Sequence, residues 1–221
     1  MRFKVGGSKI VLVFLLVVMI FILSGCIDAL EYISENRKNI NVSFRLAIQK
    51  AVFEMMAEMN DEEINDDYFK KNFGPDENEF KKQFPKGVDL EFKEINTELE
   101  YGFDVRFKIS KKELPTILKK NEKVYFIPIK MGNMLNVVLP SGSYADSSED
   151  NEYAEAFLAG AKYRMIISKT YIKNIKEVSI KIGKETIKPQ LIVYDEIYII
   201  EFPISVWITS PSDVVIEVKA L

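Results

Sequence analysis

Apolar residues recur at helical spacing between residues 27 and 60. They lie three or four positions apart, while Arg45, Lys50 and Glu54 would occupy the opposite side of a helix. The apolar face consists of Phe44, Ile48, Val52, Met55 and Met59. This period predicts a long N-terminal amphipathic helix with one face to bury. Residues 27–40 are more polar, so we assign them to a tether or to the start of this helix.

A second helical pattern covers residues 150–171. Its apolar face is formed by Ala154, Leu158, Ala161 and Met165. Charged residues at Glu152, Glu155 and Lys162 argue against a membrane span. The pattern therefore predicts a central helix, and we expect two shorter helical pieces within residues 61–84.

In other parts of the chain apolar and polar residues alternate strictly instead of recurring at helical spacing. Apolar residues occupy every second position from Tyr101 to Ile109 and from Val88 to Phe92, which predicts an antiparallel hairpin. Further strands are expected over residues 123–129, 134–139, 178–182, 191–194, 196–209 and 213–218. Pro203 predicts an edge position or a bulge because it has no N–H to donate. Together the elements predict an α+β fold, in which two helices pack on an antiparallel sheet, as one domain over residues 41–221.

The first 26 residues have a different character. Arg2, Lys4 and Lys9 make the start basic, and residues 10–23 follow without a polar side chain. These 14 residues span about 21 Å as a helix, which is shorter than the roughly 30 Å core of a bilayer. A basic start followed by a short apolar run is typical of a signal peptide that directs the rest of the chain outward.

The apolar run ends in Leu23-Ser24-Gly25-Cys26, which contains the only cysteine of the chain. This segment resembles the lipobox of prokaryotic lipoproteins, bacterial or archaeal. The resemblance implies cleavage before Cys26 and attachment of a lipid to its sulfur. Two lipid chains hold a protein firmly where one binds reversibly. We therefore expect residues 27–221 at the extracytoplasmic face of the cell membrane, with membrane lipid as a partner through Cys26.

Two alternatives stay open for this segment. Residues 10–27 could be retained as an uncleaved transmembrane anchor, because Ser24 and Gly25 are tolerated in a bilayer. In one version the protein is a subunit of a pilus-like or secretion apparatus, and the apolar helix continues through residues 28–59.

The residue types that the chain lacks exclude several kinds of catalytic and metal site. The chain has no histidine and no cysteine besides Cys26, which excludes Ser-His-Asp and Cys-His catalysis and nearly all zinc sites. We therefore predict no catalytic residue, no cofactor and no metal site, and interpret the protein as a non-enzymatic binding or assembly module for an unidentified protein or surface ligand. The alternative is a hydrolase of surface polymers that uses two carboxylates.

The net charge bears on the choice of partner, and one sequon bears on modification. The net charge is −3, and the three cations before Cys26 leave −6 on the remainder, which argues against nucleic acid as a partner. Asn41-Val42-Ser43 is a glycosylation sequon, so Asn41 is a candidate glycosylation site.

Overall fold

A computed structural model describes residues 27–51, 54, 77, 81, 84–85, 88–121, 123–142, 158 and 160–221. In these ranges the chain forms two β-sheets and two short helices, with no long helix.

Seven strands form the larger sheet. In spatial order they are β10 (Gln190–Val193), β11 (Ile197–Pro203), β7 (Lys162–Ser168), β1 (Ile27–Glu35), β2 (Asn39–Gln49), β4 (Glu100–Ser110) and β3 (Asp89–Asn96). Neighbouring strands are antiparallel except for β1 and β7, which run parallel with Asp28 opposite Lys162. The first described strand therefore lies at the centre of this sheet.

Five strands form the smaller sheet. In spatial order they are β5 (Ile129–Met131), β6 (Met134–Leu139), β12 (Val214–Ala220), β8 (Ile175–Ile182) and β9 (Glu185–Ile187). All pairs are antiparallel. Gly183 adopts a φ of 55° in the turn between β8 and β9, a left-handed conformation that glycine reaches without strain.

One buried cluster joins the two sheets. It includes inward-facing side chains of the larger sheet, such as Phe44 and Val105, and of the smaller sheet, such as Val137 and Ile216. Inward-facing residues alternate with outward-facing ones along the longer strands, so the sheets pack as two layers around a shared core.

Trp207 packs at one side of this core. It belongs to helix α2 (Ser205–Ile208), and its ring lies edge-on to those of Phe44, Phe126 and Tyr163 at centroid distances of 6.0, 5.9 and 5.7 Å. The indole N–H donates a hydrogen bond to the carbonyl oxygen of Pro140 at 2.9 Å. The only polar atom of this side chain is thereby satisfied.

The predicted long N-terminal helix is wrong. Residues 27–49 form the β1–β2 hairpin, so the segment assigned to a tether or helix start is strand. A spacing of four, as between Phe44 and Ile48, fits both the helical period and the strand alternation. The oxygen of the Asn36 side chain accepts from the N–H groups of Lys38 and Asn39, at 2.9 and 2.8 Å, and closes the turn.

The predicted α+β class is therefore wrong as well, and the central helix is absent over residues 160–171. Residues 162–168 form β7, in which Tyr163, Met165 and Ile167 are buried. Ala161 and Met165 are four residues apart, a spacing that again fits both a helix and a strand. Most of the predicted helix before residue 158 lies outside the described residues, as do most of residues 61–84 and the second half of the N-terminal helix.

Several strand predictions are confirmed. The β3–β4 hairpin, β6, β8 and β12 form where the alternation places them. Residues 123–128 do not form a strand, and Phe126 there has a φ of 58°. Residues 111–121 contain helix α1 (Leu114–Lys120), with Pro115 in its first turn.

The strand predicted over residues 196–209 is shorter than expected. β11 ends at Pro203, and α2 follows. β11 is an interior strand, but its pairing with β10 extends only to Glu201. Pro203 thus lies at a local edge, where its missing N–H breaks no bond to β10.

Candidate binding surface

Of the two residues proposed from sequence for modification, Asn41 lies near the turn of the β1–β2 hairpin, and the described part of the chain begins at the open end of that hairpin. Cys26 is outside the described residues, but β1 begins at the next residue. Ile27 is 5% exposed and pairs with Ile48, so the central strand starts directly after Cys26. Asn41 lies on β2, half-buried and opposite Lys108 of β4. Glycosylation of Asn41 stays a prediction.

The side of the larger sheet that points away from the core, here called the outer face, carries an apolar row. Ile192, Ile199, Ile166 and Tyr32 lie opposite one another on β10, β11, β7 and β1. The three isoleucines are half-buried and Tyr32 is 39% exposed. Contiguous exposed apolar patches mark interaction sites on proteins, so this row is a candidate binding surface.

An ion-pair network borders the apolar row. Arg164 contacts Glu201 through Nε at 2.8 Å and Asp28 through a terminal nitrogen at 3.3 Å, and Lys162 also bonds to Glu201. Burial alone would raise the pKa of Glu201, but the hydrogen bonds and charges of Lys162 and Arg164 lower it below its usual range. The network fixes these side chains on the central strands and leaves Glu201 ionised.

A cavity of about 210 Å³ adjoins this network. It lies where the β9–β10 connection meets the end of β11, and Lys162, Lys188 and Glu201 contribute its charged groups. Glu201 is the only acid in its lining, and two cations already hold it. The cavity therefore does not contain the second carboxylate that the hydrolase alternative requires.

The outer edge of β10 is the third feature of this surface. β10 ends the larger sheet, and in the described part of the chain no strand pairs with its far side. Val193 and the adjacent Tyr194 are 59% and 54% exposed. The opposite edge strand, β3, instead carries Asp89, Glu91, Lys93 and Glu94. Charges of this kind protect an edge from pairing, and β10 has none.

One carboxylate is buried inside the core and was not singled out from sequence. Glu31 is fully buried on β1, and the hydroxyl of Tyr163 bonds to its Oε2. Among the residues that the structure describes, none bonds to its Oε1. Burial raises the pKa of Glu31 to about 8, although the Tyr163 hydrogen bond opposes this. The sequence held a signal for this burial. In a strand, Glu31 lies on the same face as the apolar residues Ala29 and Ile33.

Comparison with known proteins adds no relative. No protein-family model, no curated protein and no solved structure matches the chain. Among the described helices, none has the length and apolar character needed to cross a bilayer.

Proposed function

We propose that this protein is a lipid-anchored extracytoplasmic module that binds or assembles with a partner at the cell membrane. The observation that carries the proposal is Leu23-Ser24-Gly25-Cys26 after a basic start and a short apolar run. Cleavage before Cys26 would make it the first mature residue, with the lipid on its sulfur.

The position of β1 supports the same function. Because Ile27 is already a buried strand residue, no flexible tether separates Cys26 from the sandwich. A lipid at Cys26 would hold the amino end of the central strand at the bilayer. Such close attachment limits how far the domain can rotate from the membrane, which favours a module that meets partners in the membrane plane.

The outer face and the β10 edge supply the binding surface in this proposal. Tyr32, Val193 and Tyr194 offer exposed apolar area, and the Arg164–Glu201 network offers fixed charges beside it. Interfaces commonly combine aromatic and aliphatic contacts with arginine at their centre.

The alternative is an uncleaved transmembrane anchor formed by residues 10–27. The helical continuation through residues 28–59 that its pilus-like version assumed is wrong, since β1 and β2 occupy residues 27–49. The retained anchor without that continuation stays a hypothesis.

Expression of the wild type and of Cys26→Ser in a lipoprotein-processing host tests the anchor. The wild type is expected in the membrane fraction with a lipid mass on its N-terminal peptide. The Cys26→Ser variant is expected to keep its leader, because cleavage requires the modified cysteine. Identical processing and mass in both proteins would contradict the proposal. Lys184→Arg, an exposed substitution in the turn between β8 and β9 and outside the Leu23–Cys26 segment, serves as a control for expression.

A further inference from the structure

The cavity beside the end of β11 forms where the strands of the larger sheet separate. β10 pairs with β11 only as far as Gln190 opposite Glu201, whereas β11 continues to Pro203 beside Lys162 of β7. The chain enters β10 through Pro189, coming from β9 of the smaller sheet. The gap left next to Pro203 is the cavity of about 210 Å³. Two prolines with restricted backbone torsions line it, which keeps its walls in place.

The charged groups around this cavity leave one cation without a partner. Glu201 accepts a hydrogen bond from Lys162 through Oε1 and one from Arg164 through Oε2, the latter at 2.8 Å. Arg164 also contacts Asp28 at 3.3 Å. Lys188 is exposed, and among the described residues no acid forms an ion pair with it. Three cations thus accompany two acids, and one positive charge is uncompensated.

We propose that this cavity binds a phosphate group, with the ammonium groups of Lys162 and Lys188 as its donors. An ammonium group has three N–H donors, so Lys162 can bind an anion while it keeps its bond to Glu201. The side-chain amide of Gln190 adds neutral donors to the lining. The cavity is smaller than the roughly 300–1,000 Å³ of pockets that enclose a drug-sized molecule, so it suits a compact group. The uncompensated charge selects an anion.

The position of the cavity indicates the source of the phosphate. Lys162 lies opposite Asp28, which is two residues after Cys26. Neighbouring strands lie about 4.8 Å apart, so β11 and β10 are about 10 and 14 Å from β1 at the same end of the sheet. A lipid on Cys26 would hold this end against the lipid headgroups. We therefore assign the phosphate to the headgroup of an anionic lipid. This source rests on the proposed anchor, whereas phosphate binding itself does not.

Phosphorus NMR tests the site with inorganic phosphate and the full-length protein in a maltoside detergent, which contains no phosphorus. At constant ionic strength the phosphate signal is expected to broaden and shift as the site fills. Lys188→Gln removes the unpaired ammonium and is expected to weaken binding by roughly threefold to tenfold. Lys188→Arg keeps the charge and is expected to bind as the wild type does.

Lys184→Gln is the matched control for this measurement. It removes the same charge from the turn between β8 and β9, outside the cavity lining. Lys184 and Lys188 are both exposed, so neither substitution disturbs the core. Weaker binding in Lys188→Gln with wild-type binding in Lys184→Gln supports the site. Equal Kd values in these two variants, or no binding to the wild type, would overturn it.

Thermal unfolding in mixed micelles tests the lipid source. Maltoside micelles that contain phosphatidylglycerol are compared with micelles that contain diacylglycerol, which has the same acyl chains and no phosphate. Phosphatidylglycerol is expected to raise the Tm of the wild type but not that of Lys188→Gln, because a ligand that binds only the folded state stabilises it. Equal Tm values in the two kinds of micelle, with inorganic phosphate still bound, would overturn the lipid source and leave free phosphate as the ligand.

Failure of the site and failure of the anchor give different results. An unmodified Cys26 in the mass of the N-terminal peptide would overturn the anchor, and inorganic phosphate would still bind at Lys188. A lipid on Cys26 without phosphate binding would overturn the site and leave the anchor in place.

Discussion

Replacing Glu31 with glutamine should change how the stability of this protein depends on pH. In the folded state burial raises the pKa of Glu31 from 4.5 to about 8, whereas an unfolded chain exposes the carboxyl to water. Between these two values the folded state holds a proton that the unfolded state has lost. Stability from this group is therefore complete below pH 4.5 and falls as the pH rises towards 8.

The size of the effect follows from the shift. Each pKa unit corresponds to about 1.36 kcal/mol, so the wild type should lose about 4 kcal/mol between pH 4.5 and pH 8 through Glu31. This is a large part of the roughly 5–15 kcal/mol by which a folded domain is usually stabilised. Glutamine stays neutral, keeps a similar shape and can still bond to Tyr163, so Glu31→Gln should remove that loss.

Urea unfolding of the full-length wild type and Glu31→Gln at several pH values measures this difference. The variant should gain on the wild type as the pH rises from 5 to 8. Glu201→Gln is the control of opposite sign, because the lowered pKa of Glu201 stabilises the fold at neutral pH and loses that effect as the pH falls. A stability difference for Glu31→Gln that is the same at every pH would refute the reasoning.

Three further outcomes are expected. Tyr163→Phe removes the hydrogen bond that lowers the pKa of Glu31, so the Glu31 titration followed by carbon NMR should move to higher pH, and an unchanged midpoint would contradict this. Gly102→Ala should destabilise by about 1–3 kcal/mol in urea unfolding. The added Cβ would lie 2.1 Å from the carbonyl oxygen of Leu46. Gly183→Asn is the control and should be nearly neutral, because asparagine tolerates the positive φ of this turn. Trp207→Phe should cost about 1–3 kcal/mol in thermal unfolding, because the Pro140 carbonyl loses its donor; a stability equal to the wild type would show that water replaces the bond.

Local pattern was sufficient for the hairpins but not for the first strands. From Tyr101 to Ile109 the alternation has no fault, so only a strand fits it. Around Phe44 and Ile48 a spacing of four suits helix and strand equally, and pairing with β4 decides between them. The β-branched residues Ile40 and Val42, which alternate with polar ones, were the available signal for a strand.

The candidate surface depends on contacts that are distant in sequence. β1 lies beside β7 although about 130 residues separate them, and no local pattern reports that pairing. The open edge of β10 is defined only once the order of the strands is known. Cys26 could be proposed from sequence because a lipobox is read from a few adjacent residues.

The most direct test of the proposed anchor is the mass of the N-terminal peptide of the mature protein. Purified from a lipoprotein-processing host, this peptide should begin at Cys26 and carry the added mass of a lipid. A peptide that begins at Met1 with an unmodified Cys26 would contradict the lipid anchor and favour the retained transmembrane helix.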